Sequence, residues 1–224
     1  MALTERVVRV SWQTALIISI AATAYATPVP VVNNSFELGT FVPDANGTMI
    51  LPLGSTAMTG WTVIGDELAW ITSPNPWGLS AEDGLRFLDF TAYPTGAPFG
   101  GVQQTLTTIV GNLYQVHYFL GSYTTRWGGP PVSIQATAAS ASQGCTVSTV
   151  TTQSTWTPCT LSFVATSTST ALSLLGTAGF QYIGLDNVSV DDLGPSNQPP
   201  TVPEPASMVL LGSGLIAAFR RRSR

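Results

Sequence analysis

The chain has 224 residues, contains no lysine, and sets eight arginines against twelve acidic residues, with only 9% of its residues charged. Six of the arginines crowd the two ends, so between Thr27 and Pro205 two arginines, Arg86 and Arg126, face eleven acids. A surface of that sign repels phosphates and anionic lipid head groups, which excludes nucleic acid as a partner and suits cations and neutral polymers.

At the N-terminus, Arg6 and Arg9 precede the apolar stretch Thr14 to Ala22, and Ala24-Tyr25-Ala26 supplies a small-x-small cleavage pattern. Residues 1–26 therefore read as a secretory signal peptide. The competing reading is a membrane anchor, against which the apolar stretch falls short of the roughly 20 residues a spanning helix needs.

From Thr27 onward, Thr, Ser, Gly, Val and aromatic residues dominate, a composition of strands and turns. Residues 27–192 are long enough for one domain with a real core. In chain order, strands are predicted at Trp61–Ile64, Leu68–Ile71, Leu85–Phe90, Gly101–Leu106, Tyr114–Leu120, Val132–Ala136, Thr146–Thr151, Thr157–Ala165, Ala171–Leu175 and Ile183–Val190. The clearest is Tyr114-Gln115-Val116-His117-Tyr118-Phe119-Leu120, whose alternation puts Tyr114, Val116, Tyr118 and Leu120 on one buried face. Turn residues separate the strands, as in Pro74-Asn75-Pro76 and Gly128-Gly129-Pro130-Pro131, and no segment carries a helical stripe. The expected architecture is an all-β, antiparallel β-sandwich or jelly roll.

The two cysteines, Cys145 and Cys159, suit a disulfide in an exported chain. On the predicted strands they fall in or beside two consecutive elements, so the bond is expected to staple a hairpin. Residues 193–202 form a Pro-rich linker.

Residues 203–224 complete the chain with an apolar run and the cluster Arg220, Arg221, Arg222 and Arg224. Ala206 to Phe219, as a helix of about 21 Å, is shorter than a hydrocarbon core of about 30 Å. The arginines would hold its end on the cytoplasmic side. Alone, such a segment would span a membrane only with local thinning or snorkelling of its flanks, and a permanent C-terminal anchor is one reading of it.

Two stretches resemble known families. Val202-Pro203-Glu204-Pro205, the apolar run and the arginine cluster together resemble the PEP-CTERM sorting signal of Gram-negative bacteria. That resemblance implies an exosortase-type processing enzyme as partner, transient contact with the membrane through the C-terminal segment, and a final place on the cell surface or in the extracellular matrix. The middle of the chain resembles the choice-of-anchor domains, related to galactose-binding-like jelly rolls. The residues that carry this are Asn33-Asn34-Ser35-Phe36-Glu37, Gly60-Trp61-Thr62-Val63, Asp83-Gly84, Leu88-Asp89-Phe90, Gly100-Gly101-Val102-Gln103-Gln104-Thr105 and Leu185-Asp186-Asn187-Val188-Ser189-Val190. Such jelly rolls hold a structural calcium where first and last strands meet, and the resemblance puts Glu37 and Asp186 there. The alternative is that both carboxylates accept hydrogen bonds from backbone amides.

Catalysis finds little support. The single histidine, His117, lies in a strand facing away from the tyrosines, Glu82 and Asp83 are adjacent in a turn, and no nucleophile elbow, metalloprotease or phosphate-loop motif is present. Carbohydrate binding needs aromatic faces and hydroxyl-binding polar groups. Trp70, Trp77, Tyr123 and Trp127 lie in or beside predicted loops, with Arg126, Gln103 and Asp89 as polar candidates; ordinary packing is the competing role for each tryptophan, and Trp61 is expected in the core. The expected function is that of a non-enzymatic exported protein that binds polysaccharide. The alternative is a structural or adhesive protein acting through protein contacts without a glycan site.

Overall fold

The computed structural model describes residues 26–93, 96–124, 129–148 and 150–196. Within them the chain forms twelve strands: β1 (Thr27–Val29), β2 (Thr48–Leu51), β3 (Thr62–Ile64), β4 (Leu68–Thr72), β5 (Arg86–Asp89), β6 (Gly101–Thr107), β7 (Asn112–Ser122), β8 (Val132–Ala138), β9 (Ala141–Val147), β10 (Thr155–Val164), β11 (Ser169–Ala178) and β12 (Ile183–Pro195). They make two sheets in which every pairing is antiparallel. The larger runs β10-β7-β12-β5-β4-β2 with β1 also beside β12, and the smaller runs β3-β6-β11-β8-β9. This is the expected all-β sandwich.

Alternation explains the core. Tyr114, Val116, Tyr118 and Leu120 of β7 are all within 1% of full burial, and they meet Val102 and Leu106 of β6, Leu172 and Leu174 of β11 and Ile134 of β8 across the sandwich. Each such side chain contributes on the order of 1.5–3 kcal/mol relative to exposure. Trp61 is buried as expected, donating its Nε1–H to the Asn33 carbonyl at 3.0 Å. Tyr114 stacks on Phe163 with ring centroids 5.2 Å apart, and its hydroxyl donates to Asp192 at 3.0 Å.

Three expectations need correction. The strand predicted at Thr146–Thr151 lies instead at Ala141–Val147, because β8 and β9 join through Ala139 and Ser140, with Ala139 itself in the left-handed region at φ 52°. Neither residue is a usual turn signal, so the hairpin is invisible in the composition. The C-terminal strand runs to Pro195, three residues past the expected domain end, by pairing with Asn112 of β7.

The disulfide forms, but it does not staple a hairpin. Cys145 lies on β9 at the edge of the smaller sheet and Cys159 on β10 at the edge of the larger, with Cα atoms 6.0 Å apart. β9 pairs with β8 and β10 with β7, so the bond ties the two sheets together along one open side.

Candidate functional site

The outer face of the larger sheet, turned away from the sandwich core, carries a second apolar cluster of Ala69, Ile71, Leu79, Phe87 and Tyr182. It forms because Gly121 of β7 and Gly184 of β12 are register partners, and together they leave a patch of bare backbone. Tyr182 packs over that patch: a Cβ at Gly121 would lie 2.6 Å from its hydroxyl and 2.7 Å from the Trp156 ring, and one at Gly184 would also collide with the tyrosine. Phe87, Trp156 and Tyr182 meet edge to face, with centroids 6.0 to 6.3 Å apart.

The connection between β4 and β5 crosses this face. Asn75 shapes it, donating from Nδ2 to the Leu79 carbonyl at 2.8 Å and accepting from the Leu79 amide at 3.1 Å. Trp156 Nε1–H donates to the Ser80 carbonyl at 3.0 Å, which ties the connection to β10. Trp77 stands at its tip, 37% exposed.

Beside this connection opens a cavity of about 210 Å³. Ala69, Ile71 and Tyr182 form its apolar floor, Trp77 and Leu79 come from the β4–β5 connection, Ala92 and Tyr93 from the segment after β5, and Tyr123 and Gln181 from the ends of β7 and β12. Thr48 and Asp89 add polar lining. Tyr93 is more than half exposed, and its hydroxyl donates to Asp44 Oδ2 at 2.7 Å. That bond raises the tyrosine pKa and lowers that of Asp44.

Asp89 is the one charged side chain among the described lining residues, and it is almost fully buried. Its Oδ1 accepts from the Thr91 amide at 2.9 Å, the Thr91 hydroxyl at 2.9 Å and the Ile183 amide at 3.0 Å. Its Oδ2 meets the same hydroxyl at 3.1 Å and keeps acceptor capacity. Burial pushes the Asp89 pKa up to about 7, against the opposing pull of the Thr91 and Ile183 hydrogen bonds. Apolar floor, aromatic walls and one convergent acceptor make a site suited to a small hydroxyl-rich ligand.

Of the aromatic residues expected at a glycan site, Trp77 and Tyr123 come together in this cavity, with Asp89. Trp70 does not, and that expectation is corrected. It faces the sandwich core from β4 with no exposure, donates Nε1–H to the Phe36 carbonyl at 2.9 Å, and its ring is covered by Phe41 and the Arg86 guanidinium. Gln103 lies on β6 of the other sheet. Trp127 and Arg126 lie outside the described residues, as do the segment expected to be a signal peptide through Tyr25, Val202, Pro203, Glu204, Pro205 and the arginine cluster. Tyr93, Tyr182, Gln181 and Thr48 were not foreseen; the first three lie in the segments flanking β5 and β12, where alternation carries no signal.

Glu37 and Asp186 converge on one turn. Glu37 Oε1 accepts from the Leu85 and Arg86 amides, each at 2.6 Å, and the Arg86 guanidinium donates to the Glu37 carbonyl. Asp186 Oδ2 accepts from the Glu82 and Asp83 amides at 2.8 and 3.0 Å, and Oδ1 from its neighbour Asn187 at 2.8 Å. Gly84 completes the turn at φ 69°, with Glu37 Oε1 at 2.5 Å from where a Cβ would sit. Burial raises the Asp186 pKa to about 7, opposed by those amides and reinforced by the charge of Glu82. The amide hydrogens occupy Glu37 Oε1 and Asp186 Oδ2, while Glu37 Oε2 and Asp186 Oδ1 keep acceptor capacity, and among the described residues no three His, Cys, Asp or Glu side chains gather as a metal site. This donor set caps the turn, the alternative role expected for the two carboxylates.

His117 is surface-lying, its Nε2 3.7 Å from Asp191 Oδ2, with both side chains about one-third or more exposed.

The fold and the C-terminal sequence define the class: an all-β jelly-roll sandwich carrying a PEP-CTERM protein-sorting motif, matched over residues 201–223. That motif marks the chain for export through a C-terminal sorting signal. The chain belongs to the family described as "Protein of unknown function (DUF642)", whose match covers residues 29–179. Among solved structures it is similar to the CBM22-1 xylan-binding domain of Xyn10C from Paenibacillus barcinonensis, at 17% identity over 65% of this chain and 92% of that one, with a TM-score of 0.41. It is likewise similar to a family 35 carbohydrate binding module from Clostridium thermocellum, at 10% identity over 63% and 97% and a TM-score of 0.37. A third is the K1 cleaved adhesin domain of Lys-gingipain from Porphyromonas gingivalis, at 15% identity over 64% and 96% and a TM-score of 0.40. No curated protein matches the chain significantly.

Proposed function

We propose that this is a non-enzymatic exported protein of a Gram-negative bacterium that binds polysaccharide at the cell surface or in the extracellular matrix. The observation that carries the reading is the meeting of Trp77, Tyr123 and Asp89 in one cavity on the sheet face that carries the second apolar cluster. Stacking on an aromatic ring is open to the C–H face of a sugar, and a buried carboxylate accepts its hydroxyls. The C-terminal motif supports delivery through an exosortase-type enzyme, with the apolar segment as a transient membrane stop.

Pull-down on insoluble polysaccharides, with the folded chain, tests the binding; retention on none of a broad panel overturns it. Mass analysis of the surface form, in cells with and without the exosortase, tests the sorting. Loss of the arginine cluster only where the enzyme is present is expected, and Arg224 retained on the surface form of the normal cell contradicts it. The alternative, an adhesive protein with no glycan site, requires the loop tryptophans to be packed inside, as Trp70 is and Trp77 is not. The partial exposure of Trp77 in the cavity favours the binding reading over it.

A further inference from the structure

Resting on the carbohydrate reading above, we infer that the cavity takes a single terminal, uncharged sugar unit of a glycan and turns away uronic acids. Two features of the cavity argue this, one of size and one of charge.

At about 210 Å³ the cavity lies below the roughly 300–1,000 Å³ of clefts that bury a drug-sized ligand, and matches one sugar ring better than a run of several. It also has walls. Trp77, Tyr93 and Tyr123 come from three separate connections around the floor, so a polymer has no straight bed of strand residues to lie along. A chain end can enter such a site where a chain middle cannot.

The charge is of one sign. Asp89 lies in the lining, Asp44 is hydrogen-bonded to Tyr93 at the rim, and no described lining residue is cationic. A uronate brought into the site would place its carboxylate beside that of Asp89, with no cationic side chain among the described lining residues to offset it, and like charges at close range repel. A neutral sugar meets Asp89 with hydroxyl donors instead.

Saturation-transfer NMR on the purified full chain reads the charge preference, using methyl β-glucoside, methyl β-galactoside and methyl β-xyloside against glucuronate and galacturonate. Both uronates are expected to bind at least about tenfold more weakly than the best neutral probe. Asp89→Asn is expected to weaken neutral probes by losing their acceptor and to relieve the uronates of its charge, so the ratio of neutral to uronate affinity falls. Capture by a neutral polysaccharide before and after fragmentation reads the chain-end preference, and capacity per gram is expected to rise with the number of ends. Uronates binding as well as neutral probes, or capacity unchanged by fragmentation, overturns the inference and leaves carbohydrate binding standing. Absence of binding to every probe and polysaccharide overturns both.

Discussion

Glu37 and Asp186 hold the same turn: the first accepts the amides of Leu85 and Arg86, the second those of Glu82 and Asp83. That turn ends the connection that carries Trp77 over the outer sheet face, so two remote carboxylates fix the position of the cavity wall. Asp186→Ala leaves three part-buried amides, those of Glu82, Asp83 and Asn187, without their acceptor, at a cost of about 1–3 kcal/mol. Glu37→Ala is expected to cost less, since its amides lie nearer solvent. Thermal melts of the two variants check the order. Chelator is expected to leave the melting temperature unchanged, and a fall that calcium reverses would restore the cation at these residues.

Trp70 and Trp77 are expected to separate stability from binding. Trp70→Ala empties a fully buried core site and costs about 3–5 kcal/mol. Trp77→Ala removes a partly exposed ring from a connection and is expected to change stability by less than about 1 kcal/mol. Denaturant titration of both variants measures the difference.

Stability is expected to fall as pH rises from about 4 to 7. Asp89 and Asp186 each have a folded-state pKa raised to about 7, so the folded chain holds protons that the unfolded chain releases at the ordinary carboxylate value. Their contribution is fully present below that ordinary value and is lost as pH passes through the folded one, at most about 1.4 kcal/mol per pH unit per group. Melting temperatures at pH 4.5, 6 and 7.5, with Asp89→Asn as a flatter control, follow the trend.

Reduction of Cys145–Cys159 is expected to destabilise the sandwich by about 3 kcal/mol, a shift of roughly 6–12 °C in melting temperature. Because the bond joins two sheets, hydrogen exchange should quicken in both β9 and β10. Quickening confined to one of them would contradict that reading.

The strands of the core were legible because their two faces differ. β7 alternates buried and half-buried residues along Tyr114 to Leu120, and its reading survives intact. β4 defeats the same logic: Leu68 and Trp70 face the core, while Ala69 and Ile71 face the second apolar cluster, so both faces are apolar and nothing marks which way Trp70 points. The disulfide's cross-sheet span was hidden for a different reason. Sheet membership of β9 and β10 depends on their partners β8 and β7, which sequence spacing does not reveal. Half of the aromatic lining was found at Trp77 and Tyr123, because turn residues flank both. Tyr93 and Tyr182 enter only through the fold.

The central claim is that the outer-face cavity binds carbohydrate, and the affinity of one retained polysaccharide for the native chain and for Trp77→Ala tests it most directly. The account predicts at least about tenfold weaker binding in the variant, with its melting temperature within a few degrees of the native value. Equal affinity in the two proteins would place the glycan elsewhere and contradict the account.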